Sequence, residues 1–160
     1  MDANELNELA KSEKLNIEQH GYCESLQIID NEMRNNADKR DKDFYLTKED
    51  EISEILGELL FAYGKLKSEL EKYIVWRKTQ LYVESETNKK GKDSFVTVNG
   101  KEIKFSRLAG LADDLAKSEV CDLYGICVFL HYIIKRAENA VITSRNHTYP
   151  LDKVFSNKAE

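Results

Sequence analysis

The sequence predicts an all-α protein: an antiparallel pair of long helices with N-terminal helices and a small β-hairpin insertion. Three observations predict this class. Ile52, Leu56, Leu59, Tyr63, Leu66, Leu70 and Tyr73 alternate spacings of four and three, which holds one apolar seam against a partner helix. Ala116, Val120, Leu123, Cys127, Leu130, Ile134, Ala137 and Val141 repeat that rhythm. Between the two runs stands FVTVNGKEIKF, two short alternating segments around Asn99-Gly100. That dipeptide tolerates the positive φ angles of a two-residue hairpin turn.

In chain order, Ala3 to about Lys14 reads as a short helix with Leu6 and Leu9 on one face. Tyr22, Leu26, Ile29 and Met33 step by helical intervals and predict a second helix, followed by a polar, turn-prone RNNADKRDKD. In LTKEDE, Thr47 is placed to cap a helix whose first turn is acidic, which suits the positive end of the helix dipole. The first seam belongs to this helix, which runs to near Glu84 and breaks its stripe at Arg77. ETNKKGKDS follows as a charged loop. Helix resumes from Ser106, and Ile126, Phe129, Ile133 and Ala140 give its later part a second apolar face. One partner helix cannot cover both stripes, so a third helix or another subunit must, and self-association is the favoured expectation over a monomeric bundle in which the N-terminal segment covers the second stripe. Asn146, His147 and Pro150 predict the end of this helix, with SNKAE as a frayed tail. The expected organisation is an acidic helical arm at residues 1–46 and a helical-hairpin core at 47–160, with the β-hairpin at 95–105.

With 160 residues, 41% hydrophobic and 33% charged, one proline and seven glycines, the chain has the size of one domain and too few turn residues for a sandwich. No apolar run approaches the roughly 20 residues of a membrane-spanning helix. The acidic, amphipathic MDANELNELAKSEK fits neither a signal nor a transit peptide, so a cytoplasmic protein without a membrane role is expected. Cys23, Cys121 and Cys127 are odd in number, and the last two point to different sides of a helix. They read as small buried hydrophobes in a reducing compartment.

The net charge of −5 is uneven: residues 1–58 carry −9, residues 59–107 carry +5 and residues 108–160 carry −1. Catalytic signatures are missing from the sequence. VNGKEIKF lacks the spacing of a phosphate loop, and there is no HExxH, GxSxG or zinc-finger cysteine pair. His20 with Cys23 supplies two ligands, short of a metal site. His131 lies beside an apolar stripe as a packing histidine, and Asp113-Asp114 suit a helix start. The expectation is a protein that is not an enzyme and uses no cofactor or metal.

The basic middle carries the functional signal. Lys65, Lys67, Lys72, Arg77 and Lys78 fall on one helix, and Lys89, Lys90, Lys92, Lys101, Lys104 and Arg107 follow in the loop and hairpin. Cations displace counterions from phosphates, and exposed rings stack on unpaired bases. Tyr73, Trp76 and Tyr82 stand among these cations. The combination predicts a single-stranded nucleic-acid site at Lys65, Lys67, Lys72, Trp76, Arg77, Lys78, Tyr82, Lys89 and Lys90. The competing explanation is a solvated helix face whose aromatics pack inward and whose lysines are partly neutralised by Glu69, Glu71, Glu84 and Glu86.

Three segments carry a family resemblance: LNELAKSEKLNIEQ, KLKSELEKYIVWRKTQLYVES and LYGICVFLHYIIKRAENAVITSR. Over roughly half the chain these resemble the phage UvsY-type recombination mediators. Lys78 and Leu81 match the lysine and leucine that end the family's basic helix, while Gln80 stands where the family has arginine. Residues 20–50 are longer than their counterpart, and the hairpin around Asn99-Gly100 looks like an insertion. The resemblance implies an oligomer that binds single-stranded DNA and helps load a RecA-type recombinase in the presence of a single-strand-binding protein. It also implies a homo-oligomeric interface on the last helix, at Leu123, Cys127, Leu130, Ile134 and Val141; the net charge of −9 makes the acidic arm the expected contact for the recombinase or single-strand-binding protein. A helical adaptor or host-directed inhibitor that never touches nucleic acid is the alternative, as is a structural coiled-coil protein of a virion.

Overall fold

The computed structural model describes residues 2–35 and 42–156, with side chains to Thr148. It is all-α with one small antiparallel sheet. Helices α1 (Ala3–His20), α2 (Tyr22–Asn35) and α3 (Lys42–Thr87) lead into strands β1 (Lys89–Lys90), β2 (Asp93–Val98) and β3 (Lys101–Lys104). A single turn, α4 (Phe105–Leu108), and a 3₁₀ turn at Ala109–Leu111 then lead to α5 (Ala112–Glu119) and α6 (Cys121–Ser156). The middle of the expected 34–43 loop and most of the expected tail lie outside the described residues.

Residue contacts divide the chain into two units, Met1–Ser12 with Lys65–Cys127 and Glu13–Gly64 with Val128–Glu160. The expected arm-and-core boundary at 46/47 falls inside α3. In the first unit the apolar stripes bury Leu6, Ala10, Leu66, Leu70, Tyr73, Ala116, Val120, Leu123, Ile126 and Cys127. In the second they bury Ile17, Leu26, Ile29, Met33, Ile52, Leu59, Leu130, Ile133, Ile134, Ala137, Ala140 and Val141. Within that second unit α3 and α6 run antiparallel. The Ser144 hydroxyl donates to the Tyr45 carbonyl at 2.7 Å, Arg145 bonds Glu49 at 2.8 Å, and further along Tyr63 meets His131 at 6.0 Å.

Several boundaries differ from expectation for local reasons. Asp2 and Glu5 form a reciprocal capping box, each backbone N–H bonding the other's carboxylate. From there α1 continues past Lys14 to His20, where Gly21 takes φ +63, the left-handed conformation that ends helices without a Cβ penalty. Helix α3 begins five residues before Thr47, whose hydroxyl bonds back to the Asp43 carbonyl as an interior residue instead of capping. Tyr45, fully buried, supplies the packing that draws the extra turn into the helix.

The hairpin forms as read, with Asn99 at φ +51 and Gly100 at φ +74 and Val98 opposite Lys101. Lys89 and Lys90, expected in a loop, add a third strand opposite Ser94 and Asp93, and Gly91 at φ +67 makes the turn. A hairpin alone is marginal in water. This sheet is held by Val96, which packs in one cluster with Leu81, Leu108 and Ala112. Glu84 on α3 also accepts the Thr97 backbone N–H at 2.7 Å.

The expected continuous helix from Ser106 is broken at Val120, where ψ turns to +46. Asn7 of α1 spans that break. Its amide nitrogen donates to the Glu119 carbonyl at 3.1 Å, and its oxygen accepts from the N–H groups of Asp122 and Leu123. A residue more than a hundred positions away thus caps α6. At the other end α6 runs through Pro150 to Ser156 instead of stopping. Within it the Thr143, Thr148 and His147 side chains bond carbonyls four residues back.

Candidate nucleic-acid interface

Arg77 interrupts the α3 seam because it faces a half-buried carboxylate. Its Nε donates to Glu119 Oε1 at 3.1 Å and Oε2 at 2.9 Å, and only 20% of its side chain and 26% of Glu119's are exposed. The Tyr73 hydroxyl donates to the same Glu119 at 2.8 Å. Burial, then the bond to Glu119, pushes the Tyr73 phenol up to about 12. Arg77, expected among the nucleic-acid-binding cations, is instead engaged within the chain by the Glu119 carboxylate at the α5 terminus. The sequence shows Arg77 entering the seam, and only the tertiary path of the chain reveals that Glu119 awaits it.

The other expected cations are exposed, and each has a partner. Lys78 meets Asp113 at 2.9 Å, and this hydrogen bond holds the Asp113 carboxyl below its ordinary range. Lys72 pairs with Glu69 at 2.7 Å, Lys67 with Glu71 at 3.8 Å and Lys89 with Glu86 at 2.6 Å, all at helical spacings. Lys90 bridges to Glu102 at 2.7 Å and sits over the Phe95 ring at 5.2 Å. Lys104 pairs with Asp93 at 2.9 Å. Lys65 is exposed on the same helix and also has an interaction partner. Among the described residues, Lys92, Lys101 and Arg107 are the cations of this segment without a carboxylate partner.

Of the two aromatics placed in the site, Trp76 is 51% exposed, its ring 5.5 Å from that of Tyr73. Tyr82 is 57% exposed and meets Phe105 edge-on at 6.1 Å, beside the sheet. Val75 and Val83 extend this solvent-facing strip of α3. Leu81, which matches the leucine of the family motif, is fully buried under β2 and serves packing.

Leu123, Cys127, Leu130, Ile134 and Val141, expected at a subunit interface, are buried within the chain itself. The N-terminal helices take part in that burial. Asn7 bonds the start of α6 in the first unit, and in the second Gln27 of α2 accepts from Arg136 at 2.5 Å. The segment expected as a separate acidic arm is thus integrated into both cores. Of the cysteines, Cys127 is buried and its thiol pushed up to about 11, Cys23 is half-buried, and Cys121 is exposed, against the expectation that all are buried. Among the described residues no group of three or more His, Cys, Asp or Glu side chains is arranged to hold a metal ion, and no helix is long and apolar enough to cross a membrane. No family model matches this sequence, and neither the curated proteins nor the solved structures give a match.

Proposed function

We propose that this chain is a non-enzymatic single-stranded DNA-binding protein that acts as a recombination mediator, assisting a RecA-type recombinase. The observation that carries the reading is the sheet end of the first unit. Among the described residues, Lys92 in the β1–β2 turn, Lys101 at the β2–β3 turn and Arg107 after β3 have no carboxylate partner, and exposed Tyr82 stands against Phe105. Cations that need not leave an ion pair neutralise phosphates at least cost, and an exposed ring accepts an unpaired base. The resemblance of three segments to UvsY-type mediators supports the same class. The binding surface is thereby moved from Arg77 to the strands and the adjoining end of α3. Self-association, which would multiply weak sites, is proposed through the exposed Val128 and Phe129 of α6.

The test is binding of labelled oligothymidylate across a salt series. Three phosphate contacts give a log–log salt slope of about −2 on a single strand. Replacing Lys92, Lys101 and Arg107 together by Gln abolishes the binding contributed by the first unit, and light scattering detects the oligomer. Absence of binding by micromolar protein at low salt overturns the proposal.

A second reading, a helical protein-binding adaptor, is favoured by one specific observation. The cations along α3 are already neutralised by the chain's own carboxylates, while Val75, Trp76 and Val83 remain open to solvent. A protein that fails the oligonucleotide test but loses partner capture on Trp76→Glu substitution fits this class.

A further inference from the structure

The second unit contains a groove of about 340 Å³ between α2 and α6. Arg34 contributes from α2, and Tyr132, Lys135, Arg136 and Asn139 from one face of α6. The unit as a whole is acidic, with a net charge of −5 over residues 13–64 and 128–160. Its groove is locally positive: three cations stand against Asp30 and, beside Lys135, Glu138.

The cations differ in their availability. Lys135 is held by Glu138 at 2.7 Å, and Arg34 approaches Asp30 only at 3.6 Å. Arg136 is half-buried, and the hydrogen-bond partner of its guanidinium is the neutral Gln27. Among the described residues no carboxylate neutralises Arg136. A guanidinium has a rigid fork that bonds two oxygens of one anion, and its charge is costly to bury without one.

We propose that this groove binds a phosphodiester of single-stranded nucleic acid, with Arg136 as the principal phosphate ligand and Arg34 and Lys135 flanking it. The choice of a nucleic-acid phosphate over an acidic peptide rests on Tyr132. Its side chain is 67% exposed at the groove margin, where a ring offers a stacking plate for an unpaired base and nothing comparable to a carboxylate. From Tyr132 to Asn139 the helix advances about 10 Å, room for a phosphate and a neighbouring base. This inference rests on the single-strand-binding reading but uses a different unit of the chain, so the two can fail separately.

The experiment is a titration of ¹⁵N-labelled protein with oligothymidylate, following the amides of Tyr132, Lys135, Arg136 and Asn139. Saturable shifts are expected there, persisting in the Lys92/Lys101/Arg107→Gln variant and lost in Arg136→Gln. Because Arg136 also bonds Gln27, the exposed Lys135→Gln variant is measured in parallel. It should weaken the groove's response roughly threefold or more at low salt with an unchanged melting curve. Inorganic phosphate at the same concentrations should give no saturable shift. Shifts at the sheet without shifts at the groove overturn this inference alone. Saturation of the groove by inorganic phosphate with no response to the oligonucleotide also overturns it. Absence of oligonucleotide binding anywhere overturns it together with the reading on which it rests.

Discussion

Arg77 decides between a structural and a nucleic-acid role for the end of α3, and substitution by Gln separates the two. Arg77 Nε lies within 3.1 Å of both Glu119 oxygens, with about a fifth to a quarter of each side chain exposed. A hydrogen bond to a charged partner contributes about 1.5–3 kcal/mol. Partial exposure screens that interaction, leaving an expected cost of about 1–2 kcal/mol. For a chain of this length such a loss lowers Tm by roughly 2–8 °C. Glu119→Gln should cost a similar amount, because it leaves a half-buried guanidinium without its counter-charge.

A double-mutant cycle in urea isolates the pair, with an expected coupling near 1 kcal/mol. Oligothymidylate affinity, measured on the same proteins under conditions where all are folded, should be unchanged in Arg77→Gln. A variant with wild-type stability, no coupling to Glu119 and weakened DNA binding would refute the reasoning, because it would make Arg77 a phosphate ligand.

Leu81→Ala removes the α3 side chain beneath Val96 and should cost about 2–5 kcal/mol, read as a lower urea midpoint with early loss of amide protection in residues 93–104. Gly100→Ala imposes a Cβ at φ +74 and should destabilise the hairpin by about 1 kcal/mol, measured by the same exchange experiment. The Tyr22 and Tyr73 phenols are pushed up to about 12, first by burial and then by hydrogen bonds to Glu58 and Glu119. Each folded value exceeds the unfolded value near 10, so their contribution is present below pH 10 and lost as pH rises towards 12. Absorbance at 295 nm should lose its late-titrating component in the Tyr22→Phe/Tyr73→Phe protein. Among the cysteines, exposed Cys121 should react with a thiol reagent within the native fold. Buried Cys127, its thiol raised to about 11, should react only on unfolding, and mass spectrometry of the labelled peptides checks the order.

The long helices were legible because their periodicity reports packing directly. The last apolar series, from Ala116 to Val141, is buried at every position, and the earlier one is buried at Ile52, Leu59, Leu66, Leu70 and Tyr73. Asn99-Gly100 was legible because so few residue types accept its backbone angles. What escaped the sequence depends on partners distant along the chain. Val120 gives no local sign of a break, since Asn7 of α1 satisfies the α5 and α6 termini from outside. Asn146, His147 and Pro150 suggest a stop, but α6 runs on to Ser156, and the His147 and Thr148 side chains bond carbonyls four residues back within it. Lys89 and Lys90 form a strand because Asp93 and Ser94 lie opposite them across Gly91.

The same distinction governs the charges. A count of lysines along α3 and the hairpin measures cations in the sequence, whereas a phosphate encounters only those not already neutralised. Glu69, Glu71 and Glu86 at helical spacings remove part of that count, and these pairs could be anticipated from the sequence. Asp113, Glu102 and Glu119 remove more from across the fold and could not. The exposed pairs are each weak, about 0–1 kcal/mol, so a phosphate can displace their carboxylates only by leaving that like charge nearby. The balance favours Lys92, Lys101 and Arg107 in one unit and Arg136 in the other, where no carboxylate must be displaced. If the proposed binding holds, the affinity of this net-acidic chain for a polyanion should follow the number of its uncommitted cations, with little regard to the total.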